Sequence, residues 1–138
     1  MQLQVGVKIF LRNKEGNYLL LRRNTQTYGT VRGEWDIVGG RIEPGTHLIE
    51  NLRREVREET QLEITSEPIL IAAQDIIPND EKHVVRLSYV GTTEGEPVLD
   101  THENVEYRWC SIHDLKKHQG LDVYVEDIVS SGRLEEVT

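Results

Sequence analysis

The densest chemistry in the chain lies in residues 39–62, GGRIEPGTHLIENLRREVREETQL, where Glu55, Glu58 and Glu59 stand at i, i+3 and i+4. On a helix at roughly 100° per residue, these carboxylates share an arc of about 100° beside the stripe of Ile49, Leu52 and Val56. Arg53, Arg54 and Arg57 fall on the other side together with Glu50. Exposed helices usually place opposite charges at i, i+4, each pair adding about 0.2–0.5 kcal/mol, and Glu50 with Arg54 fits that pattern. Glu55 does not: three and four residues away it meets Asn51, Leu52, Glu58 and Glu59, two like charges and no cation. Glu58 and Glu59 also lie near the helix C-terminus, where the dipole disfavours anions. Such a cluster is either a solvated acidic face or a set of hard oxygen ligands for Mg²⁺ or Mn²⁺, an ion that would cancel the repulsion and bind a phosphate opposite.

The elements that must hold this segment follow from the pattern around it. Val5, Val7, Ile9 and Leu11 alternate with Gly6, Lys8 and Phe10, which predicts a strand with one face in the core. The turn residues Asn13, Glu15, Gly16 and Asn17 join it to a second strand over 18–21. Residues 24–33 are polar with two glycines and read as a mobile loop; a short strand over 35–38 then reaches Gly39 and Gly40. Pro44 and Gly45 close the next loop, and a helix is predicted over 47–61 on the stripe of Leu48, Ile49, Leu52 and Val56. Residues 69–77 and 82–91 read as a hairpin turning at Pro78, Asn79 and Asp80. After the acidic connection 92–104, Val105, Tyr107 and Trp109 alternate as a last strand, and helices over 113–117 and 123–129 follow. The tail from Ser130 is expected to fray. With no repeat or linker, residues 1–138 make one domain, as the length suggests.

Charge and composition narrow the partners. Lys plus Arg total 16 against 24 Asp plus Glu, a net charge of −8, which argues against duplex nucleic acid and anionic membranes. An acidic protein that handles phosphates therefore needs a cation. The longest apolar run, 69–73, is far too short to span a bilayer. The opening MQLQVGVKIF lacks the segments of a signal peptide, and a lone Cys110 makes no intrachain disulfide, so a cytoplasmic location is expected. A monomer and a homodimer are both compatible with the sequence.

The same segment resembles the signature of the Nudix hydrolases, the MutT-like superfamily: Gly, any five, Glu, any seven, Arg, Glu, apolar, any, Glu, Glu, any, Gly, apolar. Gly40 opens it, Arg54, Glu55, Val56, Glu58 and Glu59 stand in their places, and Leu62 closes it. The preceding hairpin, the GEWDIVGG approach and the later ENVEYRW segment are also similar to the family. The resemblance implies an α/β/α sandwich, a mixed sheet flanked by helices, in which Glu55, Glu58 and Glu59 ligate Mg²⁺ or Mn²⁺. It implies water attack on a nucleoside diphosphate linked to another group, such as a dNTP, an oxidised dNTP or ADP-ribose. Glu55 is the first candidate for the proton acceptor and Glu103 the second, while Arg23, Gly39 and Gly40 are candidates to contact the substrate.

Two positions depart from the signature: Thr46 stands where the first Glu is expected and Gln61 where the Gly is. Thr46 can serve as an N-cap. Gln61 predicts that the helix does not end in a left-handed turn, because Gln in that conformation costs on the order of 1 kcal/mol or more. These departures also leave room for a module that binds nucleotide without turnover. An isopentenyl-diphosphate isomerase of the same fold is disfavoured, since it needs a reactive Cys and further metal-binding His. The five His residues show no HExxH spacing, Cys110 reads as a small packed hydrophobe, Trp35 as a core residue before a base-stacking one, and no Gly-Lys-Ser follows the glycine pair to make a P-loop.

Overall fold

The structure is a computed structural model that describes residues 1–28 and 33–137. In chain order its elements are β1 (Gln2–Arg12), β2 (Tyr18–Arg23), α1 (Thr25–Tyr28), β3 (Trp35–Asp36), β4 (Val38–Arg41), α2 (Leu48–Thr60), β5 (Ile69–Asn79), β6 (Lys82–Thr92), β7 (Asn104–Cys110), α3 (Ile112–Lys117), α4 (Val123–Ser131) and α5 (Arg133–Glu136). The strands form one mixed sheet in the order β3-β2-β1-β6-β5, with β4 added to β1 and β7 to β2. β1 and β6 run parallel along their whole length, from Gln2 beside Lys82 to Arg12 beside Thr92, and the other strand pairings are antiparallel.

Helices cover both faces of the sheet, which is why β1 is apolar on both. Val7, Ile9 and Leu11 pack with Leu52 and Val56 of α2, while Phe10 packs with Val125, Ile128 and Val129 of α4. Burial of β1 on a single face is thus corrected: a central strand covered on both sides reads as a near-continuous apolar run. Each fully buried Leu, Val or Ile in these layers contributes about 1.5–3 kcal/mol. On α2 the stripe is Leu52 and Val56, with Ile49 at its margin and Leu48 exposed at the first turn.

Further differences from the expected elements have local causes. Pro78 and Asn79 belong to β5, and the hairpin turns at Asp80 and Glu81, where the Asn79 side chain accepts from the Glu81 N–H at 2.8 Å. The tail does not fray at Ser130: α4 runs to Ser131, Gly132 adopts a left-handed turn at φ 81°, and α5 buries Leu134 completely against the core. Within the expected loop 24–33, Thr25–Tyr28 forms one helical turn, and the remainder of that expectation falls on residues 29–32, outside the described ones. Trp35 and Cys110 lie in the core as read, with the Arg108 guanidinium 4.3 Å above the Trp35 ring. No helix among the described residues is long and apolar enough to cross a membrane.

Candidate active site

A cleft of about 560 Å³ opens where α2, β4 and the 92–104 segment meet the end of the sheet. Arg23, Gly39, Gly40, Glu55, Glu58, Glu59 and Glu103 all line it, so the residues singled out in the sequence are brought to one place. The two loops on either side are laced together. Asn24 donates from its backbone to Glu103 O at 2.9 Å and from its side chain to Thr101 O at 3.0 Å, and Thr27 Oγ1 donates to His102 O at 2.7 Å.

The glycine pair is where sheet backbone touches helix carboxylates. Gly39 has φ 144°, and a Cβ there would sit 2.0 Å from Val7 O, so no other residue fits. Its N–H donates to Glu59 Oε2 at 2.9 Å, and Asn104 Nδ2 donates to Glu59 Oε1 at 3.4 Å. A Cβ at Gly40 would lie 2.8 Å from Glu55 Oε2, so the bare glycine leaves room for that carboxylate. Burial pushes the Glu59 carboxyl up to about 7, against the pull of Lys8 and the Gly39 N–H. Burial likewise raises Glu55, opposed chiefly by Arg54. Both groups stand where a cation would be stabilised.

The arginines of α2 do not keep to their own side. Arg54 turns away from Glu50 and donates through Nη1 to Glu58 at 3.0 and 3.1 Å, and through Nη2 to Asn51 Oδ1 at 3.0 Å and Glu55 Oε1 at 3.3 Å. Glu55 therefore has a cation in reach, which corrects the reading that it has none. The reason is side-chain length: the helical wheel fixes where Cβ points, but a guanidinium reaches around the helix to neighbours on either side. Buried Asn51 holds the Arg54 fork in this direction and also ties the preceding loop to α2 by accepting from the Glu43 N–H at 3.1 Å.

The signature's two departures also take different roles from those expected. Thr46 is not the N-cap; His47 occupies that position without a side-chain bond, and the Thr46 N–H closes a turn onto Glu43 O at 3.0 Å. Gln61 does end the helix in a left-handed turn, at φ 60°, its N–H donating to Arg57 O at 2.9 Å. That turn swings Leu62 and Ile64 into the core, and burying two such side chains outweighs the cost of about 1 kcal/mol.

The cleft also carries cations, of which Arg23 was expected and Lys8 and Arg86 were passed over by sequence reasoning. Lys8 Nζ lies 3.1 Å from Asp36 Oδ2 and donates to Ile37 O and Gly39 O at 3.2 and 3.3 Å. Arg23 and Arg86 also bind Asp36, Arg86 through Nη2 at 2.9 Å. Burial works to raise the Asp36 carboxyl, yet the three cations Arg86, Lys8 and Arg23 outweigh it and hold it well below the usual carboxylate range. A signal existed: Lys8, Asp36 and Arg86 are charged residues inside otherwise apolar strands, VGVKIFL, WDIV and HVVRLSYV.

The donor set suits a hard divalent ion, since Glu55 and Glu59 offer carboxylate oxygens that burial deprives of solvent. Glu58 is engaged by Arg54, and among the described residues no three carboxylate, imidazole or thiol groups stand close enough to share an ion as placed.

The family model for the NUDIX domain matches residues 2–128. The chain is similar to the nucleoside triphosphatase NudI of Escherichia coli strain K12, 31% identical over 118 residues, covering 79% of this chain and 82% of that one. Among solved structures, the MutT protein from Methanosarcina mazei Go1 superposes with a TM-score of 0.80 at 27% identity, covering 99% of this chain and 96% of the other. The MutT NUDIX hydrolase from Burkholderia pseudomallei shares the fold at a TM-score of 0.78 and 22% identity, covering both chains fully. The mixed sheet between helices, the glutamate-lined cleft and these matches together place the chain in the Nudix hydrolase family, whose members act on phosphorus-containing acid anhydrides.

Proposed function

We propose that the protein is a Mg²⁺- or Mn²⁺-dependent pyrophosphohydrolase of a nucleoside diphosphate linked to a further group. The observation that carries this reading is one cleft of about 560 Å³ lined both by the carboxylates Glu55, Glu58 and Glu59 and by the cations Lys8 and Arg23. Glu55, Glu58 and Glu59 are the residues that would hold the ion, with Glu58 exchanging its bond to Arg54 for it. When bound, the ion supplies neutralisation of the phosphate charge. Arg23 contacts the phosphates, and the absence of side chains at Gly39 and Gly40 lets the substrate approach the backbone. Water adds to phosphorus, the bridging P–O bond breaks with its electron pair leaving on the departing phosphate, and a carboxylate takes the proton. Glu55, half buried with its carboxyl raised, is the first candidate acceptor and Glu103 the second. The relatives named nucleoside triphosphatase favour a nucleoside triphosphate as the substrate class.

A nucleotide-binding module without turnover rested on Thr46 and Gln61, but neither residue lines the cleft. The deciding experiment is a panel of nucleoside triphosphates, oxidised dNTPs and ADP-ribose with Mg²⁺, with the products identified. Turnover that is abolished by EDTA supports the enzyme; thermal stabilisation by a nucleotide without turnover supports the module.

A further inference from the structure

Arg23 is one corner of a closed ring of alternating charge. Its Nη2 donates to Asp36 Oδ2 and, at 3.2 Å, to Asp122 Oδ2. From the other side, Arg86 Nη2 donates to Asp36 Oδ1 at 2.9 Å, and Arg86 Nη1 lies 3.6 Å from Asp122 Oδ1. Each arginine therefore bridges the same two carboxylates, and the ring joins β2, β3, β6 and the residue that begins α4. Three corners are internal, with Asp36, Arg86 and Asp122 only 2%, 4% and 5% exposed. The fourth faces the cleft: the Arg23 side chain is 23% exposed and lines the cavity.

Two features set this ring apart from ordinary structural packing. Buried ions cost enough desolvation that apolar residues of the same volume usually serve stability as well or better. Capping does not explain the charge of Asp122 either. Its Oδ1 caps α4 by accepting from Tyr124 N at 2.9 Å and Val125 N at 3.4 Å, a task that a neutral Asn performs equally well. What the second carboxylate oxygen adds is a grip on Arg23. Both carboxylates bind Nη2, and Nη1 and Nε make no hydrogen bond to a described residue.

We propose that Asp36 and Asp122, braced by Arg86, are positioning residues that fix the Arg23 guanidinium at the angle at which it meets the substrate's phosphates. This rests on the reading of Arg23 as a phosphate contact. It adds that substrate affinity depends on a carboxylate at the start of α4, on the far side of Arg23 from the cleft. A guanidinium held at one nitrogen by two carboxylates is preorganised, so substrate binding does not have to order it.

The test is a double-mutant cycle on the whole protein, measuring turnover of a nucleoside triphosphate with Mg²⁺. Asp122→Asn keeps the cap and removes the charge, so it should melt below the parent, as loss of one charge from a buried ring requires, yet stay folded at the assay temperature, while raising KM by about tenfold and changing kcat much less. Arg23→Ala should raise KM at least as far, and Arg23→Ala with Asp122→Asn should be no worse than Arg23→Ala alone. Asp36→Asn is the parallel variant where it folds; Asp122→Asn keeps the test decisive where it does not. Additive effects in the cycle, or a normal KM in Asp122→Asn beside a raised one in Arg23→Ala, would overturn the proposal. If Arg23→Ala itself keeps a normal KM, the positioning role falls while the metal-dependent hydrolysis stands. Should the parent hydrolyse no nucleotide, the same cycle is read as dissociation constants for an α,β-methylene nucleoside triphosphate by calorimetry. There, coupling between Arg23 and Asp122 supports the ring even as the hydrolase reading fails, and absence of binding sinks both.

Discussion

Replacing Glu59 with Gln should stabilise the metal-free protein, and most strongly at neutral to alkaline pH. Burial lifts the Glu59 carboxyl from an ordinary 4.5 to about 7, so the native state holds this proton more tightly than the unfolded chain does. Stability from the protonated form is full below pH 4.5 and is lost as the pH rises through 7. A shift of that size corresponds to about 3 kcal/mol at most, and water in the open cleft reduces it to roughly 1–3 kcal/mol. Gln carries no charge to desolvate. Its carbonyl can still accept from the Gly39 N–H, and Asn104 can turn its amide to accept from the new NH₂ group. In EDTA at pH 8, Glu59→Gln should melt roughly 3–9 °C above the parent, and at pH 5 the gap should be clearly smaller, vanishing only below pH 4.5. Comparing the two proteins at each pH cancels the titration of the five histidines. Added Mg²⁺ should narrow or reverse the gap at pH 8, because the ion stabilises the parent and binds the variant less. A gap that is the same at pH 5 and pH 8, or a parent that melts higher at pH 8 in EDTA, would refute the claim that desolvation governs this carboxylate.

Other perturbations follow from the same geometry. Gly40→Ala should keep the fold, because the new methyl meets only the mobile end of Glu55, yet lower turnover by about 100-fold through displacement of that carboxylate; unchanged turnover would free Glu55 from its assigned place. Glu58→Gln, in the cleft, should weaken Mn²⁺ binding in calorimetric titration, whereas Glu50→Gln, outside it, should not; equal effects would remove the distinction between the two. Leu134→Ala should cost about 2–5 kcal/mol in urea unfolding, since the side chain is wholly buried, and a loss below 1 kcal/mol would mean that α5 is dispensable.

What could be read in the sequence was what is local. The helix carrying Glu55, Glu58 and Glu59 follows from a 3.6-residue period, and the predicted span 47–61 differs from Leu48–Thr60 by one residue at each end. Gly39 and Gly40 are expected from the sequence only as substrate contacts; that the Gly39 N–H holds Glu59 and the bare Gly40 makes room for Glu55 depends on how β4 meets α2, which no local pattern encodes. The Arg54 fork escaped because wheel geometry says nothing about where a long side chain ends. The ring of Arg23, Asp36, Arg86 and Asp122 escaped for a deeper reason, as it joins residues from four elements whose mutual register no local pattern encodes. Leu134 was missed because RLEE is too short and polar to show periodicity, and its burial comes from the left-handed turn at Gly132. At Gln61 propensity pointed the wrong way, because the demand to bury Leu62 was tertiary.

The parallel pairing of β1 with β6 also sets a schedule for the nascent chain. Gln2 finds its partner only when Lys82 has been made, and Arg12 only when Thr92 has. At roughly 5–20 residues per second, the first strand synthesised waits several seconds for the one it lies against. During that interval the apolar strand of Val7, Ile9, Phe10 and Leu11 can pair with β2 and β4 but keeps its other edge open, the kind of edge that pairs with other chains. The central sheet therefore cannot be completed before β6 has emerged, which makes its closure a late step of folding.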